Sequence, residues 1–162
     1  MPSRRTLLRT VSVAAGIAFA GCSSFEPGVE GYVQLKSIEA REGTNAFESL
    51  LRVTLSSPPG SSQPELTRYH DEWVDRFDTP HEPVVSDALH DELTRAFDTI
   101  KYVIGICSPS WASSGESVGC HNDSTSLADF NSAQVHDRVS ASTNGTTLTI
   151  HSVDGSWTFE DE

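Results

Sequence analysis

The chain has 162 residues carrying 11 basic and 23 acidic side chains, a formal net charge of −12 at pH 7. That length accommodates one domain with a single core, and the acidity argues against nucleic acid and anionic lipid surfaces as partners. The carboxylates are scattered along the chain, which describes a solvated surface rather than a cation site or an acidic tail.

The N-terminus reads Ser3-Arg4-Arg5-Thr6-Leu7-Leu8-Arg9, then an apolar run from Thr10 to Ala20, then Gly21-Cys22. A charged start, a short apolar run and small residues at its end make an export signal. The run is shorter than the roughly 20 apolar residues a spanning helix needs. Arg4-Arg5, with Leu7, Leu8 and Arg9 behind them, resemble the twin-arginine export pattern. Phe19-Ala20-Gly21-Cys22 resembles a lipobox, with Phe19 where leucine is usual. The resemblance implies cleavage before Cys22 and a diacylglycerol on its thiol. Residues 1–21 are then a signal peptide, 22–30 a lipidated tether and 31–162 one globular domain. It also implies a cell-membrane location on the extracytoplasmic face, with the membrane as a partner through Cys22. Two acyl chains anchor stably because each buried CH2 adds about 0.8 kcal/mol.

Signal removal takes three of the 11 basic residues and none of the 23 acidic ones, leaving 8 against 23, a formal −15. Lys36 and Lys101 are the only lysines. High acidity, scarce lysine and a twin-arginine lipoprotein signal together resemble secreted proteins of halophilic archaea.

From Tyr32 to Ala40 apolar residues alternate, with a phase slip near Ser37 that predicts a bulge. Gly43-Thr44-Asn45 is a turn, and Phe47 to Leu55 is a second strand that completes a hairpin. Ser62 and Glu65 match a capping box, and Leu66, Tyr69, His70, Trp73 and Phe77 then share a helical face, ended by Pro80 and Pro83. Ser86 caps a second helix with Leu89, Leu93, Phe97 and Ile100 as its stripe. Lys101 to Cys107 reads as a buried strand, or as a continuation of that helix to Ile104. Ser108 to Ser126 is the longest irregular stretch. Val135 to Thr143 is a strand, Asn144-Gly145 a hairpin turn, and Leu148 and Ile150 mark the next strand. Asp154-Gly155 predicts another turn before a last strand at Trp157 and Phe159.

Once Cys22 carries lipid, Cys107 and Cys120 remain. Outside the membrane such a pair persists as a disulfide, and with His121 it fits no common zinc spacing. Gly115-Glu116-Ser117-Val118-Gly119 matches the Gly-x-Ser-x-Gly elbow of esterases, and Asp137 and His151 keep a triad's chain order. The elbow needs a buried strand before the serine and a helix after it. Trp111 to Ser114 supply no such strand, and Cys120 to Asp123 start a helix poorly. His70-Asp71-Glu72 and His90-Asp91-Glu92 carry metal-ligating groups, but consecutive residues on a helix diverge. Blue copper is excluded: Ser110 stands three residues past Cys107 where a histidine is needed, and Met1 is the only methionine. Asn122-Asp123-Ser124 and Asn144-Gly145-Thr146 are glycosylation sequons.

The expected fold is α+β: an N-terminal hairpin and a C-terminal meander in one antiparallel sheet, covered by two helices. No cofactor or metal is expected. The expected function is a non-catalytic, lipid-anchored module that binds a protein or small-molecule ligand through the pinned loop around Trp111. The alternative is a small hydrolase using Ser117 or a carboxylate–histidine metal site.

Overall fold

A thirteen-residue strand at the start of the domain sets the sheet. The computed structural model describes residues 28–55 and 59–157, and its first strand, β1, spans Val29–Arg41. The export arginines Arg4 and Arg5, the lipidation candidate Cys22, residues 22–27 of the expected tether and the strand candidate Phe159 lie outside the described residues, whereas Val29 and Glu30, expected in that tether, belong to β1 and pair with β6. The remaining strands are β2 (Glu48–Thr54), β3 (Glu65–Tyr69), β4 (Thr99–Ser108), β5 (Gly119–Thr125), β6 (Asp137–Thr143) and β7 (Leu148–Ser156). Short helices are α1 (Asp71–Val74), α2 (Asp87–Ala96) and α3 (Leu127–Ser132). The result is a seven-stranded, mostly antiparallel sheet with a few helices.

β1 is the centre of the path β3-β2-β1-β4-β5. One edge of β1 pairs with β4 along Tyr32–Arg41. The other edge is shared end to end: β6 takes Val29–Tyr32 and β2 takes Leu35–Ala40. β7 pairs with β6, and a parallel bridge from Ser124 to Thr147 brings this hairpin back to β5. Thr125 reinforces the closure by donating its hydroxyl to the Leu148 carbonyl (2.9 Å). Strands β1, β4, β5, β7 and β6 thus form a ring of neighbours. Among the described residues no helix is long and apolar enough to cross a membrane.

Two bulges decide what is buried. Opposite β4, Gln34 is an extra residue between the pairs Val33–Ile106 and Leu35–Gly105. Opposite β2, Leu50 is extra between Leu51 and Ser49. A one-residue slip exchanges the faces of a strand. The first bulge therefore turns Lys36 inward with Ile38 and Ala40 instead of Leu35, and the second lets Leu50 and Leu51 both be buried. The core joins these residues to Val33, Val53, Ile104, Ile106, Val139, Ala141 and Leu148, with Leu89 and Leu93 from α2 and Phe130 from α3. Each fully buried leucine or phenylalanine of this kind stabilises by about 1.5–3 kcal/mol.

Ser86 caps α2 as expected, its hydroxyl accepting from the Leu89 amide (3.2 Å). Ser126 does the same for α3 (3.0 Å to the Asp129 amide). The helix expected from Ser62 to Phe77 is corrected to strand β3 followed by the single turn α1. Pairing of Leu66 with Val53 and of Tyr69 with Leu51 gives this segment a sheet edge to complete, which overrides its helical spacing. Residues 101–107 are strand, not helix. The stretch expected to be irregular up to Ser126 contains β5, paired residue for residue with β4. Asp154-Gly155 is a bulge inside β7 rather than a turn: Arg138 of β6 alone stands opposite these two residues, and Gly155 takes φ 120°.

Candidate binding cleft

Where β1 begins, four other segments meet it and leave an open cleft of about 400 Å3. Its floor is Gly31 and Tyr32 of β1 with buried Val139 of β6. Its walls are Pro59, Trp157, and Pro109 and Val118 from the two ends of the loop between β4 and β5. Exposed Glu30, Arg138 and Asp154 stand at the rim. This volume lies in the range of small-molecule sites, and apolar walls with a few polar groups are the composition such sites show.

Each wall has a physical reason for its place. A side chain at position 31 would run into the Cys107 carbonyl, so only glycine lets β1 lie that close to β4. The Ser108 hydroxyl donates to the Glu30 carbonyl (2.6 Å), fixing the start of the loop against β1. Cys107 and Cys120 sit opposite each other in the β4–β5 ladder and are joined, with Cα atoms 4.0 Å apart. The loop that brings Pro109 and Val118 to the cleft is therefore closed at its base by a covalent bond. On the other wall, the Trp157 amide donates to the His136 carbonyl (3.0 Å), and the Arg138 guanidinium lies 5.6 Å from the Trp157 ring centre. Among the described residues Arg138 has no ion-pair partner. Burial pushes the Tyr32 phenol up, so it is neutral and available as a hydrogen-bonding group.

His136 supports this wall from behind. Its φ of 82° is the one positive value outside glycine among the described residues, a conformation that costs a non-glycine residue roughly 1–2 kcal/mol. It is held by its amide to the Val33 carbonyl (3.0 Å) and by Nε2 to the Ser62 carbonyl (2.8 Å). Burial lowers its pKa, against the opposing pulls of the Ser62 carbonyl and the Asp137 charge.

Trp111, the expected centre of the binding loop, is half-buried. It packs against the core and meets the His121 ring edge-on at 4.9 Å. The same loop reaches the cleft through Pro109 and Val118. Ser117 is exposed on a bend between a turn and strand β5, with no helix after it, and its hydroxyl bonds no histidine among the described residues. The strand–turn–helix context of a nucleophile elbow is therefore absent at Ser117. A serine–histidine hydrogen bond forms elsewhere, between Ser142 Oγ and His151 Nε2 (2.9 Å), exposed on the β6–β7 hairpin. His90 is engaged by the Tyr102 hydroxyl (2.7 Å) and Glu92 by Arg76 (2.7 Å). Among the described residues no group of three or more His, Cys, Asp or Glu side chains is placed to hold a metal ion.

One buried charge has no counterpart in the sequence reading. Lys36 is fully buried, with Nζ donating to the carbonyls of Pro83 and Ala133 (2.8 Å each) and to Gln134 Oε1 (3.0 Å). It also sits 4.2 Å above the Phe130 ring. Three acceptors match the three donors of an ammonium. Burial nevertheless lowers its pKa to about 7, against the raising influence of Asp137 and Glu82. The amine is enclosed by two backbone carbonyls, the Gln134 side chain and the Phe130 ring, so it is a structural clamp between β1, the 80–85 segment and the α3–β6 connection.

Comparison with protein-family models, with curated proteins and with solved structures finds no match.

Proposed function

We propose that this chain is a lipid-anchored extracytoplasmic binding protein, without catalytic activity, that holds an apolar small molecule in the cleft at the start of β1. The observation that carries the reading is the cleft itself: Tyr32, Val118, Val139, Trp157 and two prolines facing one space, with charge confined to the rim. Both signs of charge occur there, with two carboxylates to one guanidinium, which disfavours an anionic ligand. The chain's resemblance to an exported lipoprotein supplies the location. Glu30 is eight residues beyond Cys22, and a chain reaches at most about 3.5 Å per residue, so a lipidated Cys22 keeps the cleft within roughly 28 Å of the bilayer. An apolar ligand drawn from that membrane fits both facts. The hydrolase alternative is not favoured, because Ser117 lacks the local structure that activates a serine.

Fluorescence titration with the neutral apolar dye N-phenyl-1-naphthylamine tests the cleft. The expected result is saturable one-site binding, weakened at least tenfold by Trp157→Ala and by Val118→Asp, with melting temperatures close to wild type. Binding indifferent to both substitutions, or no saturable binding, would refute the reading.

A further inference from the structure

The two glycosylation sequons occupy different backbone environments, and the difference selects between them. We infer that Asn144 is a site of N-glycosylation and that Asn122 is not. The inference rests on the extracytoplasmic location proposed above.

Asn144 lies at the exposed tip of the β6–β7 hairpin. Its Oδ1 accepts from the Thr146 amide (3.0 Å), the Thr146 hydroxyl (3.0 Å) and the Thr147 amide (2.8 Å). The Thr146 hydroxyl, the second recognition element of the sequon, is thus already folded onto the asparagine side chain. Oδ1 is saturated by these bonds, whereas Nδ2 has no protein partner among the described residues. Gly145, at φ 91°, gives the bend that brings Thr146 back. A transferase meets an asparagine and its hydroxyl partner together, on a tip that needs no unfolding to be reached.

Asn122 is built differently. It is the fourth residue of strand β5, paired with Gly105 and two residues from the disulfide. In a strand, residues i and i+2 are separated by roughly 6.5–7 Å. Ser124 therefore cannot fold its hydroxyl onto Asn122 while β5 is intact. The middle residue, Asp123, is fixed by the Thr143 hydroxyl (2.8 Å), and Ser124 bridges to Thr147. The Asn122 side chain is exposed as well, but folding its sequon into a turn means stripping β5 from β4 beside a covalent crosslink.

The transfer itself uses a polyprenyl-phosphate-linked oligosaccharide as donor. Asn144 Nδ2 forms a bond to the anomeric carbon of the first sugar. The bond from that carbon to the phosphate oxygen breaks, the phosphate leaves with the electron pair, and one Nδ2 proton passes to a base of the transferase.

The test is intact-mass and glycopeptide analysis of the protein isolated from its native membranes, together with its N-terminus. The expected result is one glycan, at Asn144. It should be lost in Asn144→Gln and in Thr146→Ala, and kept in Thr146→Ser and in Asn122→Gln. A cleaved, exported chain with unmodified Asn144 would overturn the inference and leave the location standing. A glycan on Asn122 would overturn the structural selection. A signal-bearing, unmodified chain inside the cell would overturn both the location and the modification.

Discussion

Stability should rise with pH across the neutral to alkaline range, and Lys36 should be the reason. Its ammonium is buried, and burial takes its pKa from 10.5 to about 7. The folded state therefore binds this proton less tightly than the unfolded chain. Below about pH 7 both states hold the proton and the full cost of burying the charge is present. Between 7 and 10.5 the unfolded chain holds one proton more, so unfolding free energy increases by up to about 1.4 kcal/mol per pH unit. The full shift caps the gain at about 5 kcal/mol. The three oxygen acceptors around Nζ favour the charged form and reduce it. From pH 7.5 to 9.5 we expect a gain of about 1–2 kcal/mol. Urea denaturation of the mature chain with Cys22→Ser, at constant molar salt, measures it, and Lys36→Met removes the titrating group for comparison. The pH slope of Lys36→Met should be flatter by this amount, whatever its absolute stability. Parallel profiles for the two proteins, or a wild-type stability flat across this range, would refute the reasoning.

Salt should stabilise the fold. A formal charge of −12, or −15 once the proposed signal is removed, repels itself over a Debye length of about 30 Å at 0.01 M but only about 3 Å at 1 M, so the melting temperature should climb steeply over that range and further with sulfate than with chloride. A flat melting temperature up to 2 M chloride would contradict this. Cys107→Ala with Cys120→Ala should cost about 3 kcal/mol, from a loop with a sequence separation of 13, and should also weaken dye binding because Pro109 and Val118 lose their closed base. A loss below about 1 kcal/mol in urea denaturation with unchanged dye affinity would argue against that role. Cys22→Ser should release the protein into the medium or leave a precursor, and Arg4→Lys with Arg5→Lys should block export. Fractionation with immunoblotting reads both, and unchanged membrane retention of a normally processed Cys22→Ser chain would remove the lipid anchor.

Local chemistry was readable where local forces decide. The Ser86 cap, the Asn144-Gly145 hairpin and the apolar run of β4 are fixed by neighbours in sequence, and the structure follows them. Signals failed where pairing outweighed them. β3 carries a helical spacing and a capping-box pattern, yet β2 offers it a sheet edge. β5 reads Gly-Cys-His-Asn-Asp-Ser-Thr, with nothing apolar to mark a strand, and is held by β4 and the disulfide instead. Lys36 was hidden by a bulge three residues from where the phase slip was expected, because a charged residue in an alternating strand ordinarily faces water. The cleft draws on β1, β6, the end of β7 and two loops, so no window of sequence contains it. Trp111, the residue singled out in the disulfide-closed loop, packs on the core, and the loop's side chains at the cleft are Pro109 and Val118.

The claim that this chain carries an apolar ligand is tested most directly by its native contents. Protein isolated from its own membranes under mild conditions should, in native mass spectrometry, carry one apolar small molecule per chain that dissociates on unfolding. Trp157→Ala with Val118→Asp should empty it. Wild-type protein that is uniformly empty, or a bound molecule that survives both substitutions, would contradict the account.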